Sequence, residues 1–268
     1  MVREGMGENG NSCGLRGFDL PRLRRELKPF RLYWFPRLRS TNDHAAGMRR
    51  RGELFAPAVV LTGHQLAGRG RGGNRWWSSG GVLTVTLAMP IEEHLAAYQI
   101  PLAAGLAVRD AAAEVTREDS VALKWPNDVL HDGRKLAGLL CERVHHVDLI
   151  GVGVNVNVDV GEAPAALRTR ITSLRSIAGR GIDMTDVLLA VARHLRRTLS
   201  LRKEHPFPAI LKEYDRHHAL VGRQVRVVGN EDEPVVAGVC QGLDDLGRLV
   251  LREGRQTHRV IAGRVEMV

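Results

Sequence analysis

Two textures in the 268-residue sequence predict an α/β protein with a small all-β unit at its C-terminal end. Up to about residue 220, apolar strand-like runs alternate with stretches of three- and four-residue apolar spacing. After Gly222 only short β-branched runs remain, parted by Gly, Asn and Asp turns. A 44 % hydrophobic composition supplies a core and excludes wholesale disorder. No apolar run approaches the ~18–20 residues of a membrane span. Residues 1–11 are polar and lack the apolar centre of a secretory signal. Cys13, Cys141 and Cys240 have neither metal-ligand spacing nor a disulfide framework. The expectation is a cytoplasmic protein with reduced thiols and no membrane contact.

Residues 1–17 read as a flexible segment, and 18–38 as a short helix entering an aromatic strand at Tyr33, Trp34 and Phe35. Ser40-Thr41-Asn42-Asp43 is a helix-start signature ahead of 44–51. Ala-Val-Val-Leu-Thr at 58–62 reads as a buried strand. Residues 68–81 form a loop with six glycines and three arginines, running into an alternating strand at 82–87. The Ala-rich stretch 98–115 predicts a long buried helix. Strands follow at 121–125, 136–143 and 148–158, with Asn127-Asp128 and the hairpin pair Asp132-Gly133 as turns between the first two. Residues 161–180 read as an irregular connection. Asp183 or Thr185 caps a helix carrying Leu188, Val191, Leu195 and Leu199, and a further helix spans 207–219. Short strands at 225–228, 235–239, 249–251 and 258–260, with turns at 229–230, 245–247 and 253–254, predict a small SH3-like barrel. The expected domains are a basic N-terminal arm (1–39), a body (40–220) and the barrel (221–268).

The formal net charge of +9 is unevenly placed. Residues 1–52 hold 12 Lys/Arg against 5 Asp/Glu, so the excess sits at the N-terminus. A solvated arm is its plain reading, and contact with nucleic acid its alternative.

Three segments carry chemistry. Gly68-Arg69-Gly70-Arg71-Gly72-Gly73 satisfies G-x-G-x-x-G literally, but it leads into a strand. A dinucleotide fingerprint must open a helix, so that reading fails. What remains is a loop whose glycines allow close approach and whose arginines suit phosphate, with Trp76 placed to cover a flat group. Lys124 emerges from the apolar run 121–123 and needs an anion to offset its desolvation. Gly151 and Gly153 alternate along a strand and strip side chains from one face, leaving room for a ligand or another backbone. Weaker signals are set aside. His145-His146 and His217-His218 are adjacent pairs, which on a strand point to opposite faces and so make poor joint ligands. Ser78-Ser79 reads as a turn, and Cys141 as a small core residue.

With Ser40-Thr41-Asn42, Gln65, Lys124-Trp125-Pro126-Asn127-Asp128, Lys135-Leu136-Ala137-Gly138 and Gly151-Val152-Gly153-Val154-Asn155, these segments resemble a biotin protein ligase from residue 40 to the C-terminus. The resemblance implies a mixed central sheet with helices on one side, of the class II synthetase-like kind. It implies ATP-dependent formation of biotinyl-5′-AMP, with Mg2+, and transfer of biotin to a lysine of a biotin carboxyl carrier protein of a carboxylase. Catalytic roles then fall to Lys124, Arg69 and Arg71. Biotin contacts fall to Ser40, Thr41, Asn42, Gln65, Gly68, Arg69, Gly70, Arg71, Lys124, Gly138 and Gly153. Nucleotide contacts fall to Arg71, Trp76, Asn127 and Asn155. No metal ligand is assigned, although Asn127 and Asp128 could be metal-associated.

One departure is that Asn74 stands where such loops commonly carry an arginine, with Arg75 one step later. Some members also carry a DNA-binding domain. The 39 residues before Ser40 are fewer than a lone domain needs, so DNA binding and repression are not expected. A monomer or a homodimer is expected. The rival readings are a lipoate or octanoate transferase and a non-catalytic sensor.

Overall fold

The computed structural model describes residues 17–91, 95–204, 207–229 and 235–268. Seven strands form the central sheet: β1 (Arg31–Phe35), β2 (Ala58–Thr62), β5 (Val82–Pro90), β6 (Val121–Lys124), β7 (Asp128–His131), β8 (Arg134–Val144) and β9 (Val147–Asn155). Their order is β1-β2-β5-β9-β8-β7-β6. β1 and β2 are parallel and every other pair is antiparallel, so the sheet is mixed. β3 (Gly68–Arg69) and β4 (Arg75–Trp76) form a separate two-residue hairpin inside the glycine-rich loop.

Side-chain alternation divides the packing. Val59 and Leu61 of β2 join the main core with the long helices Ile100–Thr116 and Met184–Glu204. Ala58 and Val60 turn the other way and pack on Ala45, Ala46 and Met48 of the helix Thr41–Arg50. Helices therefore flank both faces, which corrects the one-sided expectation. Ser40 caps Thr41–Arg50 from extended backbone, its Oγ accepting from Asp43 N at 3.3 Å.

Residues 1–16 of the expected arm lie outside the described residues. The rest of it is no arm: Leu23, Leu27 and Phe30 are buried in the main core, and β1 is a sheet strand. Of the expected turn Asn127-Asp128, Asn127 lies in a turn but Asp128 opens the strand β7, which was not expected. The Asp132-Gly133 hairpin is present, both residues having positive φ (49° and 71°), and it joins β7 to β8. The connection 161–180 contains two short helices, Ala165–Arg168 and Leu174–Ala178.

The C-terminal unit is a five-stranded antiparallel sheet: β10 (Gln224–Val228), β11 (Val236–Leu243), β12 (Leu249–Glu253), β13 (Gln256–Val260) and β14 (Arg264–Met267). Its order is β13-β12-β11-β10-β14. Asn230, part of one expected turn, lies outside the described residues. This unit packs directly on the body. Trp125 is 2 % exposed and its Nε1 donates to Gly247 O at 3.3 Å, while Gln99 Nε2 donates to Leu246 O at 3.1 Å. That docking places β10 and β14 over the end of β6, where Lys124 stands.

Candidate active site

A cavity of about 1040 Å³ opens between the body sheet and the C-terminal unit. One wall is buried and polar. Gln65 Oε1 accepts from Thr41 N at 2.9 Å, leaving Nε2 without a hydrogen bond among the described residues. Asn42 is fully engaged: its amide donates to Leu140 O (3.0 Å) and Glu142 Oε2 (2.8 Å), and its Oδ1 accepts from Thr86 Oγ1 (2.6 Å). A Cβ on Gly151 would lie 2.3 Å from that Oδ1, so only glycine fits beneath Asn42.

The hairpin β3–β4 folds over this wall. A Cβ on Gly68 would come within 2.6 Å of Gln65 Nε2 and 2.7 Å of Trp76 O, so its role is the tight crossing of the hairpin. Arg69 Nη2 reaches Asp43 Oδ1 at 2.7 Å and both Glu142 oxygens at 2.9 and 3.0 Å. Burial opposes the Arg69 charge, but these two carboxylates outweigh it and hold its pKa above the usual value. Arg71 has no carboxylate partner among the described residues; its Nη1 donates to Asn127 Oδ1 at 3.3 Å. Burial lowers the Arg71 pKa, against the opposing pull of Asp128.

Trp76 lies across the glycines of β8 and β9. A Cβ on Gly153 would meet its Cε2 at 2.4 Å, and one on Gly138 its Cζ3 at 3.2 Å. The room over these two glycines is filled by the indole. Lys135 Nζ stands 5.7 Å from that ring's centroid, and the buried indole Nε1 has no partner.

The far wall is cationic. The Lys124 side chain makes no hydrogen bond or ion pair among the described residues. Burial lowers its pKa; Asp128 pulls it back up, and Lys135 and Arg170 add repulsion. Lys135 is matched by Asp128 at 2.6 Å, whereas the Arg170 side chain has no acid partner among the described residues. From the C-terminal unit come Arg264 and Glu266, paired to each other at 2.7 Å.

Of the residues expected at the site, Ser40, Thr41, Asn42, Gln65, Arg69, Gly70, Arg71, Trp76, Lys124, Asn127, Gly138 and Gly153 line this cavity. Gly68 and Asn155 do not. Asn155 is buried behind it, its amide donating to Lys135 O (3.3 Å) and Thr172 O (3.0 Å) and so fixing the backbone beside Lys135. Sequence reading missed Arg170, Arg264 and Glu266 as lining residues. Arg170 follows no periodic pattern, and the other two reach the cavity only through docking of the C-terminal unit. Among the described residues no three His, Cys, Asp or Glu side chains gather to hold a metal. Asp128, on the cavity wall, pairs with Lys135 at 2.6 Å. His145 and His146 sit in a turn at positive φ (42° and 60°), while His217 lies in a turn and His218 bridges to Leu123 beyond the helix Phe207–Arg216. Burial raises the Cys141 thiol pKa, which keeps it protonated.

Lining cations with no carboxylate ion pair among the described residues, opposite a buried polar wall, make a cavity suited to a ligand that is anionic at one end and polar at the other. Residues 34–159 match the biotin/lipoate A/B protein ligase family, and residues 220–268 the biotin protein ligase C terminal domain. The chain is 33 % identical over 233 residues to the biotin–[acetyl-CoA-carboxylase] ligase of Mycobacterium tuberculosis, covering 84 % of this chain and 85 % of that protein. It is 31 % identical over 236 residues to the enzyme of the same name from Paracoccus denitrificans, covering 81 % and 94 %. The solved biotin protein ligase from Aquifex aeolicus in complex with biotin and ATP superposes with a TM-score of 0.80 at 27 % identity, covering 88 % of this chain and 98 % of that one. The chain belongs to the biotin protein ligase family.

Proposed function

We propose that this chain activates biotin with MgATP and transfers it to one lysine of the biotin carboxyl carrier protein of a carboxylase. In the first step a biotin carboxylate oxygen attacks the α-phosphorus, an anhydride P–O bond forms, and pyrophosphate leaves with the electrons of the old bond. In the second, the neutral ε-amine of the carrier lysine attacks the biotinyl carbonyl. The amide forms, AMP leaves, and the amine's proton goes to solvent.

The observation that carries this reading is a pair of lining cations, Lys124 and Arg71, that form no ion pair with a carboxylate among the described residues. Two anions must approach for the first step, and charge grows on the phosphoryl oxygens as it proceeds. Preorganised cations in a partly water-excluded site stabilise that charge without reorganising. Among the described residues, Lys124 and Arg71 have no ion-paired carboxylate to release before they meet the ligand, only the longer-range pull of Asp128. Lys124 holds the carboxylate and α-phosphate, and Arg71 closes from the loop above. Ser40, Thr41 and Gln65 face the ureido ring, whose two N–H groups and carbonyl suit hydroxyl and amide partners. Trp76 and Asn127 lie toward the nucleotide. Magnesium enters with ATP as its counter-ion. The enzyme acts in the cytoplasm, where free thiols such as Cys240 persist.

The test is incubation with ATP, biotin and a carrier domain, followed by intact-mass and peptide analysis. The expected result is a single biotinyl addition on one carrier lysine with release of AMP. A carrier of unchanged mass would overturn the reading.

A further inference from the structure

Among the three loop arginines, Arg69 is the one tied to the body by carboxylates. Its guanidinium bridges Asp43 on the helix Thr41–Arg50 and Glu142 on β8, residues 26 and 73 positions away. Glu142 is itself aimed: its Oε2 accepts from Asn42 Nδ2 at 2.8 Å, and Asn42 is locked by Thr86 and Leu140 O. The chain Arg69–Glu142–Asn42–Thr86 thus connects the glycine-rich hairpin to the rigid sheet.

Resting on the activity proposed above, we infer that Glu142, helped by Asp43, is the latch of this hairpin, and that Arg69 serves as its catch rather than as a cation for substrate. Glu142 is a positioning residue: it acts through Arg69 on the loop that carries Arg71. The pairing is built to open. Arg69 and Asp43 are 42 % and 54 % exposed and Glu142 is 32 % exposed, so solvent and salt compete for each partner. The hairpin's own bonds, such as Gly70 N to Asn74 O at 2.7 Å, let it swing as a unit when the latch releases.

Two arms test this with Glu142→Gln, which keeps the side chain's shape and an acceptor for Asn42 while removing the charge. In the first, the ligand-free native chain and the variant are digested with trypsin, and cleavage after Arg71 and Arg75 is timed. In the second, release of biotinyl-5′-AMP is timed at low and high salt. Loss of the latch is expected to speed both processes by about 3- to 10-fold at low salt, with the two proteins converging as salt rises. In a double-mutant cycle, Arg69→Gln added to Glu142→Gln is expected to cause little further change. Unchanged cleavage within residues 71–75 would overturn the latch, whatever the enzyme does with biotin. Absence of adenylate in the native chain would count against the proposed activity alone, because the protease arm needs no substrate. A variant with faster cleavage but native adenylate release would overturn the link from latch to retention.

Discussion

Asn42, on the polar wall, commits both amide hydrogens to Leu140 and Glu142 and its carbonyl oxygen to Thr86. Across the cavity the Lys124 side chain makes no hydrogen bond among the described residues, and burial presses on its charge. Both residues lie in motifs of the same family, yet their surroundings assign them different work. A saturated polar group holds the scaffold in one shape. A half-buried cation without an ion pair favours an anion that a ligand can bring. The same contrast divides the loop, where Arg69 is bound by two carboxylates and Arg71 by none.

If that contrast is right, activity and stability separate by wall. The largest effect is expected for Lys124→Ala, a loss of about 10²–10³-fold in adenylate formation with an unaltered melting temperature, checked by single-turnover assay and calorimetry. Normal turnover would remove Lys124 from the chemistry. Arg71→Gly is expected to release the adenylate about 10- to 100-fold faster and to spread label onto bystander lysines, read by mass spectrometry. Label confined to the carrier lysine would show that Arg71 does not retain the intermediate.

On the other wall, Asn42→Ala strands Thr86 and Glu142 and is expected to lower stability by about 1–3 kcal/mol in urea unfolding. A variant as stable as the native chain would place Asn42 with the ligand groups instead. The smallest effect is in pH dependence. The protonated Lys124 binds the carboxylate, and burial lowers its pKa. Apparent affinity for biotin is therefore expected to be highest below that lowered value and to fall as pH rises through it. The fall comes earlier than the ~10.4 of an ordinary lysine. Lys124→Arg should remove the decline, measured as kcat/KM for biotin.

How much of this was legible followed the range of each signal. The Ser40 cap, the strand 58–62 and the Asp132-Gly133 hairpin are local signals, and all three stand in the structure. The strand Asp128–His131 was missed because Asp128 was read with Asn127 as a turn, leaving a run too short to signal a strand before the Asp132-Gly133 pair. The strand Arg264–Met267 was missed for a similar reason, since Val265 alone is its buried apolar residue. The cavity's membership was legible through motifs, but its internal division was not. Nothing near Arg69 announces Asp43 and Glu142 as its partners. Gly138 and Gly153 signalled empty space, while the indole that occupies it comes from Trp76, far away in the chain. Arg170 had no pattern around it at all.

Biotin-dependent exchange of labelled pyrophosphate into ATP isolates the step that the unpaired cations serve, because it needs no carrier protein. Run beside lipoate and octanoate, the account predicts exchange with biotin and none with the other two acids. Exchange driven by lipoate or octanoate would move the substrate while leaving the fold in place. Biotin binding without exchange would contradict the account at its centre, making Lys124 and Arg71 parts of a sensor.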